Sequence, residues 1–181
     1  MLDGLPPYGN MYISIPQNGY TEYSEGVVVE FEKKDKTKWI GNFETGNSNL
    51  KFSSKLNNSE DIIIIAKGIC YIINVEKTIP LKVFGFDYKE IYNYRNLFIL
   101  IGEYSISIVE SADKIFHFSD LCYDGIKNSQ LIDDKLYGEL YNFNPSVDNY
   151  LITNFLLNLE NLEYSEVKKN DETKDWWKFW K

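Results

Sequence analysis

The only histidine of the chain, His117, lies in "FHFSDLCYDG", with Asp120, Cys122 and Asp124 within the next seven positions. A thiol nucleophile needs an imidazole base at hydrogen-bond distance and a third group to orient that base. The same residue types can also ligate a metal. The spacing argues against both. Five positions along an extended chain put His117 and Cys122 on opposite faces, and no spaced pair of further Cys or His ligands completes a zinc set. These residues read instead as a strand histidine between two phenylalanines, followed by a turn. Carboxylate pairs offer a second route to catalysis. Asp133-Asp134 and Glu160 with Glu163 have the groups for acid–base hydrolysis. Adjacent aspartates have a simpler use, because Asp tolerates turn geometry and hydrogen-bonds its own backbone. There is no P-loop, dinucleotide fingerprint or nucleophile elbow. The reading is therefore non-enzymatic, with no catalytic residue, no metal ligands and no cofactor. A carboxylate- or His117-dependent hydrolase and a ligand-sensing β scaffold are the alternatives.

Aromatic residues are the excess. The chain has 14 tyrosines, 11 phenylalanines and four tryptophans in 181 residues. Tyrosine and tryptophan give large contact area at small entropic cost, so exposed ones suit a protein interface. Tyrosine also fills β-sheet surfaces without any partner. Tyr137 and Tyr141, with the turn acids Asp133 and Asp134, are the candidate contacts within the folded part. The C-terminus adds "DWWKFWK", in which Trp176, Trp177 and Trp180 are candidates for packing on the chain's own sheet or for docking into a partner. The tail allows a short helix, with Trp176 and Trp180 stacked at i,i+4. A membrane-surface anchor is disfavoured, because the cluster spans one or two turns beside Asp171, Glu172 and Asp175.

Charge narrows the partner. The formal net charge is −8 and the pI about 4.8. An acidic surface repels phosphate backbones, which argues against nucleic acid, and it steers cationic partners inward. The N-terminus has no basic region followed by an apolar one, so no secretory signal is visible. The expected location is the cytoplasm, with Cys70 and Cys122 as thiols. The longest strongly apolar run, "IIIIA" at 62–66, is too short to span a bilayer. Oligomeric state is left open.

The elements that must position these residues follow a period of two. "GVVVEFE" (26–32) and "TKWIGNF" (37–43) form a hairpin across "KKDK". "DIIIIAK" (61–67) and "ICYIINV" (69–75) flank Gly68 and are apolar enough to be central strands. "NLFILI" and "EYSISIVE" meet at a tight turn at Gly102-Glu103, with Tyr104, Ile106 and Ile108 on one face and Ser105 and Ser107 on a wet one. "KIFHFS" (114–119), "IKNSQLI" (126–132) and "KLYGELYNF" (135–143) follow, the last two joined by Asp133-Asp134. "YLITNFLLNLENL" (150–162) fits a helix face or a strand, and the β context favours the strand. Turn signals recur about every ten residues. The expected fold is all-β, an antiparallel meander, sandwich or partial-propeller-like sheet over residues 1–166. Residues 167–181 form a polar connector and an aromatic tail. No repeat supports a full propeller.

The segments "KWIGNF" (38–43), "KGICYIINVEK" (67–77) and "YDGIKNSQLIDDKLYGELY" (123–141) carry a resemblance. Over residues 25–160 the chain resembles a group of small bacterial all-β proteins that act as immunity proteins, partners of secreted or contact-dependent toxins. That group has no catalytic signature, so the resemblance implies no catalytic residue here. Lys67-Gly68 stands where the group has a double glycine. The acidic end region and aromatic tail depart from its pattern. The resemblance implies a cognate protein toxin as partner, bound and occluded by this chain, and the acidic charge makes a basic toxin the expectation.

Overall fold

The computed structural model describes residues 1–5, 12–16, 25–57 and 59–168. Its described residues form strands and turns, with no helix among them. The strands make four sheets. In the first, β2 (Val27–Glu32) pairs antiparallel with β3 (Lys38–Phe43), and β1 (Ile13–Ile15) lies parallel on the other side of β3. The second follows chain order through β4 (Lys51–Lys55), β5 (Asp61–Ala66), β6 (Ile69–Asn74) and β7 (Lys82–Phe84). The third contains β8 (Glu90–Tyr94), β9 (Leu97–Ile101), β10 (Ile106–Ser111) and β11 (Lys114–Phe118). The fourth contains β12 (Ile126–Ile132), β13 (Lys135–Asn144), β14 (Asn149–Asn158) and β15 (Tyr164–Lys168). The last three sheets are meanders in chain order, so the all-β reading holds and each expected hairpin forms.

The chain divides into two compact units. The first is Met1–Gly102 with Ile106–His117, and the second is Glu103–Ser105 with the chain from Phe118 onward. In the first unit the second sheet is covered on both faces. Ile64, Ala66, Ile69, Tyr71 and Ile73 pack against Val27, Val29, Phe31, Trp39 and Phe43 of the first sheet. On the opposite face Ile63, Ile65, Cys70 and Ile72 pack against Phe98, Leu100 and Val109 of the third, with Ala112 from its β10–β11 turn. This explains why "IIIIA" and "ICYII" lack polar alternation: neither face meets water. Each fully buried isoleucine is worth about 1.5–3 kcal/mol relative to exposure. Tyr71 keeps its hydroxyl satisfied by donating to the Glu44 carbonyl at 2.9 Å.

The "WIGNF" segment proves to be a packing device. Trp39 stacks on Phe31 with centroids 4.3 Å apart, and Phe43 meets Tyr71 edge-on at 5.1 Å. A Cβ on Gly41 would stand 2.8 Å from the Phe43 ring and 3.2 Å from that of Trp39. The two rings close over the glycine between them. Asn42, fully buried, accepts the Gly26 N–H at 2.8 Å through Oδ1.

Three sequence expectations change. Ser107 was expected on a wet face, yet it is 1 % exposed. The turn at Gly102-Glu103 is longer, since Ile101 pairs with Ile106 and leaves residues 102–105 as the connection. Those residues are occupied elsewhere: Ile126 N–H donates to Glu103 O at 2.8 Å and Leu121 N–H to Tyr104 O at 3.0 Å. Strand β15 also runs through Lys168, two residues into the stretch expected as a polar connector. For residues 150–162 the strand alternative is the one observed, as β14. Cys70 and Cys122 are both free and buried. Burial pushes the Cys70 thiol pKa well up.

Candidate functional site

In the first unit His117 joins a hydrogen-bonded chain. Its Nδ1 lies 2.8 Å from Ser107 Oγ, and Ser107 Oγ lies 2.5 Å from the Tyr88 hydroxyl. Phe84 meets the imidazole edge-on at 5.1 Å. β10 and β11 are neighbours in the third sheet and supply Ser107 and His117. Tyr88 precedes β8 and is 2 % exposed. Burial pushes its hydroxyl up to about 12, with the Ser107 hydrogen bond acting the other way. One proton order satisfies all three groups: Tyr88 donates to Ser107, and Ser107 donates to an unprotonated Nδ1. A serine beside an imidazole has the atoms of a nucleophile and its base. Here the hydroxyl is already committed to two partners and shut off from solvent. His117 belongs to the first unit and Cys122 to the second. The Cys122 thiol donates to the Glu103 carbonyl at 3.7 Å. Among the described residues no group of three or more His, Cys, Asp or Glu could hold a metal ion.

The second unit presents a different surface. Strand alternation places Tyr137, Glu139, Tyr141 and Phe143 of β13 on one face, and the buried Leu136, Gly138 and Leu140 on the other. Register puts Tyr150 opposite Phe143 and Ile152 opposite Tyr141. The rings touch: Tyr141 meets Tyr150 at 5.9 Å and Phe143 meets Tyr150 at 5.5 Å, both edge-on. Phe143 and Tyr150 remain 45 % and 49 % exposed. Large aromatic groups left this open, and touching one another, are unusual on a surface that has nothing to bind.

Two local devices shape that surface. A β-bulge on the edge strand β12 sets two residues, Asn128 and Ser129, against Gly138 of β13. Asn128 takes a left-handed conformation, φ 53°, which asparagine tolerates better than most residues. Its side-chain amide donates to Glu139 Oε2 at 2.7 Å, and Tyr141 donates to the same oxygen at 3.0 Å. Burial, then the Glu139 hydrogen bond and charge, raise the Tyr141 hydroxyl pKa. On the near side of the bulge Lys127 holds its ammonium 4.3 Å from the Tyr141 ring centre. The second device is the "YDG" segment. Asp124 N–H donates to Tyr141 O at 2.9 Å, and Tyr141 N–H to Gly125 O at 3.1 Å. Tyr123 N–H donates to Asn142 Oδ1 at 2.9 Å and Phe143 N–H to Asp124 Oδ2 at 2.5 Å. These bonds fix Tyr123, 87 % exposed, alongside the end of β13.

The partner candidates named from sequence separate along this sheet. Tyr141 is in the aromatic cluster. Asp133 and Asp134 make the β12–β13 turn at the opposite end, with Asp133 at φ 52°. Tyr137 lies nearer that turn, four residues from Tyr141, about 14 Å along a strand. Trp176, Trp177 and Trp180, and the short helix expected of the tail, lie outside the described residues. Sequence reasoning missed Lys127, Glu139, Phe143 and Tyr150 as a group. The alternation of "LYGELYNF" carried the signal for β13, but the register that brings Tyr150 to Phe143 becomes readable only once the turn at 145–148 is known. No protein family, curated protein or solved structure matches the chain.

Proposed function

We propose that this protein is a non-enzymatic, cytoplasmic immunity protein that binds a basic bacterial toxin and occludes its working surface. The observation that carries the reading is the exposed aromatic cluster Tyr141, Phe143 and Tyr150 on the outer face of the fourth sheet. Rigid aromatic anchors dominate binding energy when they enter a partner's pocket. The net charge of −8 supports fast, salt-sensitive association with a basic partner. The motif resemblance supports the toxin as the class of partner.

The test is co-expression with a basic toxin domain encoded beside this gene. The expected result is rescue of growth and a complex that survives gel filtration, with association slowing as salt rises. Phe143→Ala with Tyr150→Ala should weaken the complex at least about 30-fold, as for loss of a hot-spot cluster of ~2 kcal/mol or more. Full binding by that double variant would sink the reading. The alternative, a carboxylate- or His117-dependent hydrolase, has the Ser107–His117 hydrogen bond as its support, and its test is loss of a hydrolase activity in His117→Ala, Asp133→Ala or Asp134→Ala.

A further inference from the structure

Lys127 occupies a corner built by two aromatic rings. Its ammonium lies 4.3 Å from the centre of Tyr141 and 5.9 Å from that of Tyr150. The ring planes meet at 64°. Two rings at that angle turn their negative faces toward one point, which is a cation site by its electrostatics. Glu139 stands directly across the strand pair from Lys127 in register, and its carboxyl oxygen Oε2 accepts from the Tyr141 hydroxyl at 3.0 Å. Asn128 and the Tyr141 hydroxyl, both donating to its Oε2, fix where that oxygen sits. The chain therefore fills a cation site with its own side chain.

The resident is easily displaced. Lys127 is exposed and sits on an edge strand, so its side chain can swing into water. An exposed cation–π contact is worth only about 0.5–1 kcal/mol. A guanidinium or ammonium delivered by a docked protein competes with it at high local concentration, and the acidic chain favours the approach of such a group.

The geometry points to recognition of one lysine or arginine side chain of a partner protein in the Tyr141–Tyr150–Glu139 corner, with Lys127 as the resident that it replaces. This inference rests on the partner-binding reading above and adds which chemical group of the partner is read.

The probe is N-acetyl-argininamide, with N-acetyl-norleucinamide as its uncharged counterpart. Each is titrated into the full chain and into Lys127→Ala, following the ring resonances of Tyr141 and Tyr150 by NMR. Saturable shifts are expected for the arginine compound only, with affinity about fivefold tighter in Lys127→Ala, the equivalent of one exposed cation–π contact. Glu139→Gln and Tyr150→Ala should each weaken it. Absence of saturable shifts in Lys127→Ala, or an equal response to the norleucine compound, overturns the proposal. So does a response seen only when residues 169–181 are deleted, since the occupant would then be the chain's own tail. If the toxin is captured through Phe143 and Tyr150 but the arginine compound does not bind, the cation proposal falls and the partner-binding reading stands. If the compound binds as expected and no toxin is captured, the corner stands and the immunity reading falls.

Discussion

Ser107 shows what a period-two pattern leaves unread. Between Ile106 and Ile108 it has the look of a solvent-facing position. A hydroxyl can be buried at little net cost once both its donor and acceptor capacity are used. Tyr88 and His117 use it here, from 19 and 10 positions away. Nothing in the local sequence announces partners at that range, so the alternation was legible and the burial was not. The same chain gives Tyr88 a measurable consequence. An unperturbed tyrosine titrates near 10, and Tyr88 is pushed up to about 12. Below pH 10 both the folded and unfolded forms keep the proton, and stability does not depend on this group. Between pH 10 and 12 the unfolded chain loses the proton while the folded one holds it, so stability falls. The fall reaches about 2 kcal/mol by pH 12 and levels off at ~3 kcal/mol above it for a two-unit difference. Urea unfolding at pH 8, 10 and 11 checks this. Tyr88→Phe should shrink the alkaline loss without abolishing it, because Tyr92 and Tyr164 are shifted in the same direction by burial and by neighbouring carboxylates. An alkaline loss unchanged in Tyr88→Phe would refute the assignment.

Among the elements, hairpins were the most legible. The runs at 26–43, 61–75 and 126–143 all pair across their expected turns. Their composition and turn residues suffice, because both are local. The short strands β4, β7 and β8 were not read, since segments such as "KFSSK" carry too little apolar patterning. The bulge in β12 was equally silent. It depends on what stands opposite, and that is Gly138. Phe155 lies directly across from this glycine and covers it, so a Cβ at position 138 would come within 2.4 Å of the ring. The ring cannot easily yield, because it stacks on Tyr164, which in turn stacks on Phe118. Gly138→Ala is therefore expected to destabilise the protein by about 1–3 kcal/mol, as overpacking in a filled core does. Chemical denaturation measures the loss. Phe155→Leu in the Gly138→Ala background should recover part of it, a coupling that independent sites would not show.

For the whole molecule, the sequence announced an all-β chain and the central place of "IIIIA", because a strand buried on both faces has no polar alternation to hide. The division into two units was not legible. It turns on residues 103–105, three of the four that connect β9 to β10, where the Glu103 and Tyr104 carbonyls are taken by Ile126 and Leu121. Backbone carbonyls look alike in every sequence. The aromatic face of the second unit was half legible: Tyr141 stood out, whereas its neighbours needed the register. The two buried cysteines give this architecture a practical use. Cys70 is in β6 of the first unit and Cys122 is in the second, each without a disulfide partner. A thiol reacts only as an accessible thiolate, so each one is a silent reporter until its own surroundings open. Alkylation with an excess of iodoacetamide in sub-denaturing urea, followed by peptide mass spectrometry, would time the two openings separately in a single unlabelled sample. Cys70, fully enclosed within a doubly covered sheet, should react more slowly than Cys122, and Ile72→Ala beside it should speed Cys70 first. The chain thus carries its own pair of clocks, one for each unit, and needs no engineered label to read them.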